Sequence, residues 1–182
     1  MKKPRRIVLF TDIGDTIIDE GTEIRDESGT VVHADCIPGA RETMRTLYEA
    51  GTVIVMVADG TVRSFANTMR ENGLEDIFTA RIISEAVGAD KPDGRMFRAA
   101  MDAVGLTDAD RERIVMVGNN VGRDIRGANR AGIRSVLLTW SKRRPFDEEI
   151  PEDHPDFTIS RPEELIPLLE KLETEHEDGA GS

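Results

Sequence analysis

Apolar residues fall into two patterns along the chain. Short unbroken runs cover Ile7-Val8-Leu9-Phe10, Thr52 to Val57, Ile114-Val115-Met116-Val117 and Ser135-Val136-Leu137-Leu138, with a weaker one at Arg81-Ile82-Ile83. Such runs, rich in Val and Ile and without alternation, predict strands covered on both faces. Between them the spacing becomes helical. Pro38 to Ala50 carries Met44, Leu47 and Tyr48 on one face and ends at Gly51. Val62 to Asn72 follows Thr61, a suitable N-cap, and ends at Gly73. A helix capped by Asp93 runs to Val104, and Arg123 to Ala131 forms a shorter one. Glycine after each helix is the usual stop signal. Repeated strand–helix–strand units predict an α/β fold, a Rossmann-like three-layer domain with a central parallel sheet and right-handed crossovers.

Two segments interrupt the repeat. Glu23 to His33 reads as a hairpin turning at Asp26 to Gly29, within a flap spanning about 19–37. After Trp140 comes a polar stretch, Ser141 to Pro155, then a short strand at Phe157-Thr158-Ile159 and a helix from Pro162 to Leu172 carrying Leu165, Leu168 and Leu169. One domain over 1–173 accommodates these elements. The stretch 174–182 is polar and acidic, and its composition predicts disorder.

Charge narrows the partners. Asp plus Glu number 35 against 24 Lys plus Arg, a net charge of −11, which repels nucleic acid and anionic membranes. A small phosphate ester in a local positive pocket remains open to such a chain. Cys36 is the single cysteine, so no internal disulfide forms, and the setting expected is cytoplasmic. The basic start, Met1 to Arg6, precedes too short an apolar run to act as an export signal.

The chemistry is expected beyond the C-terminal strand ends, where open parallel sheets bind ligands. Those positions read Asp12-Ile13-Gly14-Asp15-Thr16, Ala58-Asp59-Gly60, Lys91-Pro92-Asp93 and Gly118-Asn119-Asn120, with Asp124 one turn later. Two carboxylates and an amide can hold a hard cation through oxygen. A lysine beside an aspartate can neutralise a phosphoryl group while the aspartate attacks it. Each residue also has a simpler reading: Asp12 as a strand-end residue, Lys91 as a solvated loop lysine, Asp124 as a helix N-terminal acid, and Asp59-Gly60 as a turn.

In order and spacing, these four segments resemble the motifs of the haloacid dehalogenase superfamily of phosphohydrolases, over roughly Ile7 to Leu138. The resemblance implies Asp12 as the nucleophile forming an aspartyl-phosphate and Lys91 as the residue steadying the phosphoryl group. It implies Mg2+ held by Asp12, the Gly14 carbonyl, Asn119 and Asp124. Thr16, Ala58 and Asp59 fall in the phosphate-binding positions with Lys91. The partner implied is a phosphorylated small molecule or another phosphoester. A second copy of the chain could close a site that has a hairpin where many members have a cap domain. Three positions depart from the family pattern. Gly14 stands where the proton-transferring aspartate belongs, Ala58 where a hydroxyl belongs and Asn119 where a charged metal ligand belongs. Asp15, one place late on a tight turn, should point elsewhere. The expectation is a Mg2+-dependent phosphatase, with a weak or inactive relative acting as a binding module as the alternative.

Overall fold

The computed structural model describes residues 5–179. The first four residues of the basic start and the last three of the acidic tail lie outside the described residues. The chain runs β1 (Val8–Thr11), β2 (Ile24–Arg25), β3 (Val31–His33), α1 (Ala40–Glu49), β4 (Val53–Ala58), α2 (Val62–Glu71), β5 (Ala80–Ile83), α3 (Ser84–Val87), α4 (Gly94–Ala103), β6 (Ile114–Gly118), α5 (Arg126–Arg130), β7 (Arg134–Leu138), β8 (Phe157–Ile159) and α6 (Leu165–Gly179). Six strands form one sheet in the order β5-β4-β1-β6-β7-β8, and every pairing is parallel. β1 sits between β4 and β6, where the chain switches from one half of the sheet to the other. The crevice at that switch is where such folds bind ligands.

The unbroken apolar runs are explained by burial on both faces. Ile7 and Leu9 join Met44, Leu47, Met69, Leu165 and Leu169 on the α1, α2 and α6 side. Val8 and Phe10, on the opposite face, pack with Met96, Phe97, Ala100 and Ala128 from α4 and α5. Burying both faces leaves no polar register along the strand, so alternation is lost.

The outer elements hold differences. Tyr48, read as part of the buried face of α1, is 41% exposed. The stripe is narrower than expected and is made by Ala40, Thr43, Met44 and Leu47. α1 starts at Ala40 rather than Pro38, behind Gly39 at φ 80°. The segment read as one helix from Arg123 divides into a π-helical turn, Val121–Ile125, followed by α5. α6 continues through Gly179, so the stretch from Thr174, where composition predicts no structure, is helical up to that residue. Leu165, Leu169 and Leu172 anchor its apolar side, and Glu175 pairs with Lys171 one turn earlier and with Arg134 on β7. Helical propagation from a docked first half costs far less than nucleation, which carries polar residues along. The hairpin β2–β3 is present and lies against α2, where Ser64 Oγ accepts from the Val31 N–H at 3.0 Å.

Candidate active site

The site is assembled at the C-terminal ends of β1, β4 and β6. Asp12 directly follows β1, and its N–H donates to the Val117 carbonyl of β6 at 3.0 Å. Asp124 lies in the π-helical turn after β6, and its Oδ2 accepts from the Asn120 N–H at 3.0 Å. Gly118 makes room for it, since a Cβ there would stand 2.1 Å from Asp124 Oδ2. Lys91 reaches both acids from the loop before α4. Its Nζ is 2.8 Å from Asp12 Oδ1 and 2.8 Å from Asp124 Oδ1, and it donates to the Val57 carbonyl at 2.7 Å. Three residues separated by 79 and 33 positions therefore meet around one ammonium, as the strand-end expectation requires.

Burial sets the electrostatics. The Lys91 and Asp124 side chains are each 1% exposed, and Asp12 is 14% exposed. Burial alone would lower the Lys91 pKa, but Asp12, Asp124 and Asp59 together outweigh it and hold the ammonium above its ordinary value. Burial pushes the Asp124 carboxyl up to about 7, and the Asp12 charge adds to that rise against the opposing pull of Lys91. Two carboxylates brought together out of water form a place where a cation is favoured. Asp12, Asp124, the Gly14 carbonyl and the Asn119 amide oxygen are all hard donors that suit Mg2+. Among the described residues, no group of three or more His, Cys, Asp or Glu side chains is placed to hold a metal ion. Asn119 is part of the reason, being 1% exposed and contributing an amide in place of a third acid.

Two expected phosphate contacts do not reach the cavity. Ala58 alternates with Val57 on β4, so its methyl group joins Ile54 and Met56 in the core beneath α1 and α2. Thr16 is turned inward by the loop after β1, where the Ile13 carbonyl accepts from the N–H groups of Thr16, Ile17 and Ile18. Its Oγ1 is buried without a hydrogen-bond partner, beside Ala40, Met44 and Leu165. Asp59 does border the cavity, but its carboxylate is already engaged. Oδ1 accepts from the Lys91 N–H at 2.9 Å, and Oδ2 pairs with Arg123 at 3.1 Å. Asp59 thus holds the lysine loop, a role its anionic charge suits better than contact with phosphate.

Other residues border the same cavity, whose volume is about 170 Å³. Thr61 and Ser64, at the start of α2, also border it, with their hydroxyls bonded to each other at 2.7 Å and Ser64 Oγ accepting the Val31 N–H. Arg123 and Arg144 bring positive charge, and the hairpin contributes Arg25 and Val31. Glu20, in the 3-10 turn Glu20–Thr22, is the least expected member. Burial raises its carboxyl pKa; Arg144 opposes that shift, while Asp15 and Asp12 reinforce it. Asp15 points away from the cavity, as the one-place shift predicts. It is fully buried at φ 49°, and its carboxylate accepts from Ser141 Oγ at 2.9 Å, Arg143 at 2.7 Å and the Glu20 N–H at 3.1 Å. Arg143 and Arg144, the two arginines after Trp140, are tied to the loop after β1 through Asp15, Asp19 and Glu20. The Thr61 hydroxyl was readable as an N-cap only, and no local signal marks Ser64 or Glu20.

A family model described as haloacid dehalogenase-like hydrolase matches residues 12–138. The chain belongs to that family. Among curated relatives of these hydrolases, a glyceraldehyde 3-phosphate phosphatase from Methanopyrus kandleri is 32% identical over 140 residues, 77% of this chain and 57% of the relative. A phosphoserine phosphatase from Thermus thermophilus is 34% identical over 137 residues, 74% of this chain and 51% of that one. The chain therefore spans about half the length of the curated relatives it matches. The fold is shared with a HAD-hydrolase from Bacillus subtilis, YfnB, solved bound to magnesium, at a TM-score of 0.72 and 19% identity over 92% of this chain and 99% of that one. An uncharacterized Listeria monocytogenes protein has the same fold, at a TM-score of 0.71 and 24% identity over 91% of this chain and 99% of that one. Among the described residues, no helix is long and apolar enough to cross a membrane.

Proposed function

We propose that the protein is a Mg2+-dependent phosphatase that works through an aspartyl-phosphate on Asp12. The observation that carries this reading is the contact of Lys91 Nζ with Asp12 and Asp124, both at 2.8 Å, at the floor of an open cavity. The phosphatase names of the relatives support the same chemistry. When bound, Mg2+ would be held by Asp12, the Gly14 carbonyl, Asn119 and Asp124, and would offset charge on the phosphoryl oxygens. Lys91 orients the Asp12 carboxylate, its ammonium donating to Oδ1 at 2.8 Å. Asp12 attacks phosphorus, the bond from phosphorus to the leaving oxygen breaks, and water later releases inorganic phosphate and regenerates the carboxylate. Lys91 borders the space where the phosphoryl group sits.

A cavity of about 170 Å³ is below the ~300–1,000 Å³ typical of pockets that enclose a drug-sized ligand. It suits a phosphoryl group and the atoms next to it, with the rest of the substrate projecting past the hairpin. The free Cys36, whose thiol burial pushes up to about 11, supports a reducing, cytoplasmic setting and no redox role.

The test is phosphate release from a panel of small phosphate monoesters with Mg2+ and with excess chelator. Turnover is expected only with the metal, and Asp12→Asn should abolish it, because the neutral amide is a far poorer nucleophile. Full turnover by Asp12→Asn would contradict the reading. A folded wild type that binds Mg2+ and releases no phosphate from any ester would favour a binding module instead.

A further inference from the structure

Gly14 occupies the place of a missing acid, but the space beside it is filled. Its φ is not among the positive values of the chain's glycines, so the backbone there accepts an ordinary L residue. What excludes a side chain is Glu20. A Cβ built on Gly14 would stand 2.1 Å from Glu20 Oε1 and 2.9 Å from its carboxyl carbon. That separation is about the reach of an aspartate's own carboxylate oxygen from its Cβ. The Glu20 carboxyl therefore lies in the volume that an aspartate at 14 would use, and Glu20 lines the same cavity as Asp12.

We infer that Glu20 is the general acid and base of this site, delivered from the 3-10 turn in place of an aspartate at Gly14. The inference rests on the phosphatase reading and adds the proton path to it. When Asp12 attacks phosphorus and the leaving oxygen departs, the Glu20 carboxylic acid gives that oxygen its proton. The resulting carboxylate then takes a proton from the water that attacks the aspartyl-phosphate. The Asp12–phosphorus bond breaks, and free phosphate, Asp12 carboxylate and protonated Glu20 are restored.

The surroundings single out Glu20 among the carboxylates on this cavity. Glu23 is paired with Arg25 at 2.5 Å, Asp59 holds the Lys91 N–H and Arg123, and Asp124 is buried against Lys91. Among the described residues, the Glu20 carboxylate has a single side-chain contact, from Arg144 to Oε2 at 3.4 Å, which leaves Oε1 directed over Gly14. Its backbone is fixed by Asp15, whose carboxylate accepts the Glu20 N–H. The aspartate displaced by one place thus acts as the positioning residue for the glutamate that takes over the position.

The experiment compares kcat/KM for an alkyl phosphate and an aryl phosphate in wild type, Glu20→Gln, Asp12→Asn and the double exchange Gly14→Asp with Glu20→Ala. Only the alkyl leaving group needs protonation. Glu20→Gln should therefore lose about 10²–10⁴-fold on the alkyl ester and far less on the aryl ester. With the aryl ester it should also accumulate chain heavier by one phosphoryl group in intact-mass spectra, because the water step lacks its base. The double exchange should recover a large part of the alkyl activity. Equal losses on both esters with no phosphorylated chain would make Glu20 merely structural and overturn the inference, as would an undiminished Glu20→Gln. In both cases Asp12→Asn would still be inactive and the phosphatase reading would stand. A wild type inactive on both esters, or an Asp12→Asn with full activity, would overturn the phosphatase reading and the Glu20 role with it.

Discussion

The two walls of the cavity are built on different principles. On the sheet side, Asp12 and Asp124 follow β1 and β6, and Lys91 meets both from the loop before α4 in 2.8 Å contacts, with Lys91 and Asp124 buried. On the loop side, Glu20 and the residues that fix it come from irregular segments joined by ion pairs. Arg143 reaches Asp15 and Asp19 at 2.7 and 2.8 Å, across 128 and 124 residues of chain, with its own side chain 42% exposed. Backbone hydrogen bonding of six parallel strands specifies the first wall before any catalytic side chain is chosen. The second wall exists only once Ser141, Arg143 and Arg144 have reached back to the loop after β1. Rigid placement suits a nucleophile and its counter-charge. A carboxyl that must exchange protons with the leaving group and water is better placed at a partly open wall.

If that contrast holds, the largest effect should come from the sheet wall. Lys91→Met removes the ammonium that sits between the buried Asp124 and the partly exposed Asp12. Turnover should fall by about 10²–10³-fold. Chemical denaturation of the metal-free protein should show a loss of about 3–5 kcal/mol, the range for breaking a buried ion pair. An active, equally stable Lys91→Met protein would remove the basis for treating this wall as the electrostatic floor of the site.

A smaller effect is expected from the loop wall. Arg143→Ala leaves Asp12, Lys91 and Asp124 untouched but frees the Asp15 carboxylate that fixes the Glu20 turn. Misplacement of an acid should cost roughly ten- to a hundredfold on alkyl phosphates, with little change on aryl phosphates. A loss of KM alone, or equal losses on both esters, would separate Arg143 from Glu20 and blur the distinction between the walls.

Much of the sheet wall was legible in the sequence, because unbroken apolar runs mark buried parallel strands and ligand chemistry follows their ends. Side-chain parity was less legible. Ala58 ends an apolar run in the expected place, yet alternation along β4 turns it into the core with Ile54 and Met56. Thr16 fails for a related reason, since the Ile13 carbonyl gathers three N–H groups and coils the loop inward. Glu20 was not legible at all. Its position depends on contacts from Arg143, Arg144 and Ser141 more than 120 residues away, and no short-range pattern carries that information. The helical continuation of α6 past Thr174 shows the same limit at the surface, where docking of Leu165, Leu169 and Leu172 extends order into a polar stretch.

The smallest expected effect concerns the segment that follows the loop-wall arginines and is fastened to Arg126. Asp153 is fully buried, takes two hydrogen bonds from Arg126 at 2.7 and 2.9 Å, and caps the chain at Glu149 and Ile150. The Arg126 hydrogen bonds hold its carboxyl far below the usual carboxylate range, against the opposing effect of burial. A depressed folded-state pKa gives stability that is complete above the unfolded-state value of about 3.9 and is lost as pH falls below it. Asp153→Asn should therefore melt below wild type at pH 7, and the gap should narrow as the pH drops under about 4. A gap that stays constant or widens in acid would contradict an ionic fastening of this loop.

The central claim is that phosphorus is transferred to Asp12. The most direct measurement is chemical trapping: wild-type protein turning over an aryl phosphate with Mg2+ is quenched, its acyl-phosphate is reduced with borohydride, and the modified position is located by peptide mass spectrometry. The account predicts conversion of Asp12 to homoserine, dependent on both substrate and metal. Reduction at a different residue, or unmodified Asp12 in protein that is visibly releasing phosphate, would contradict it.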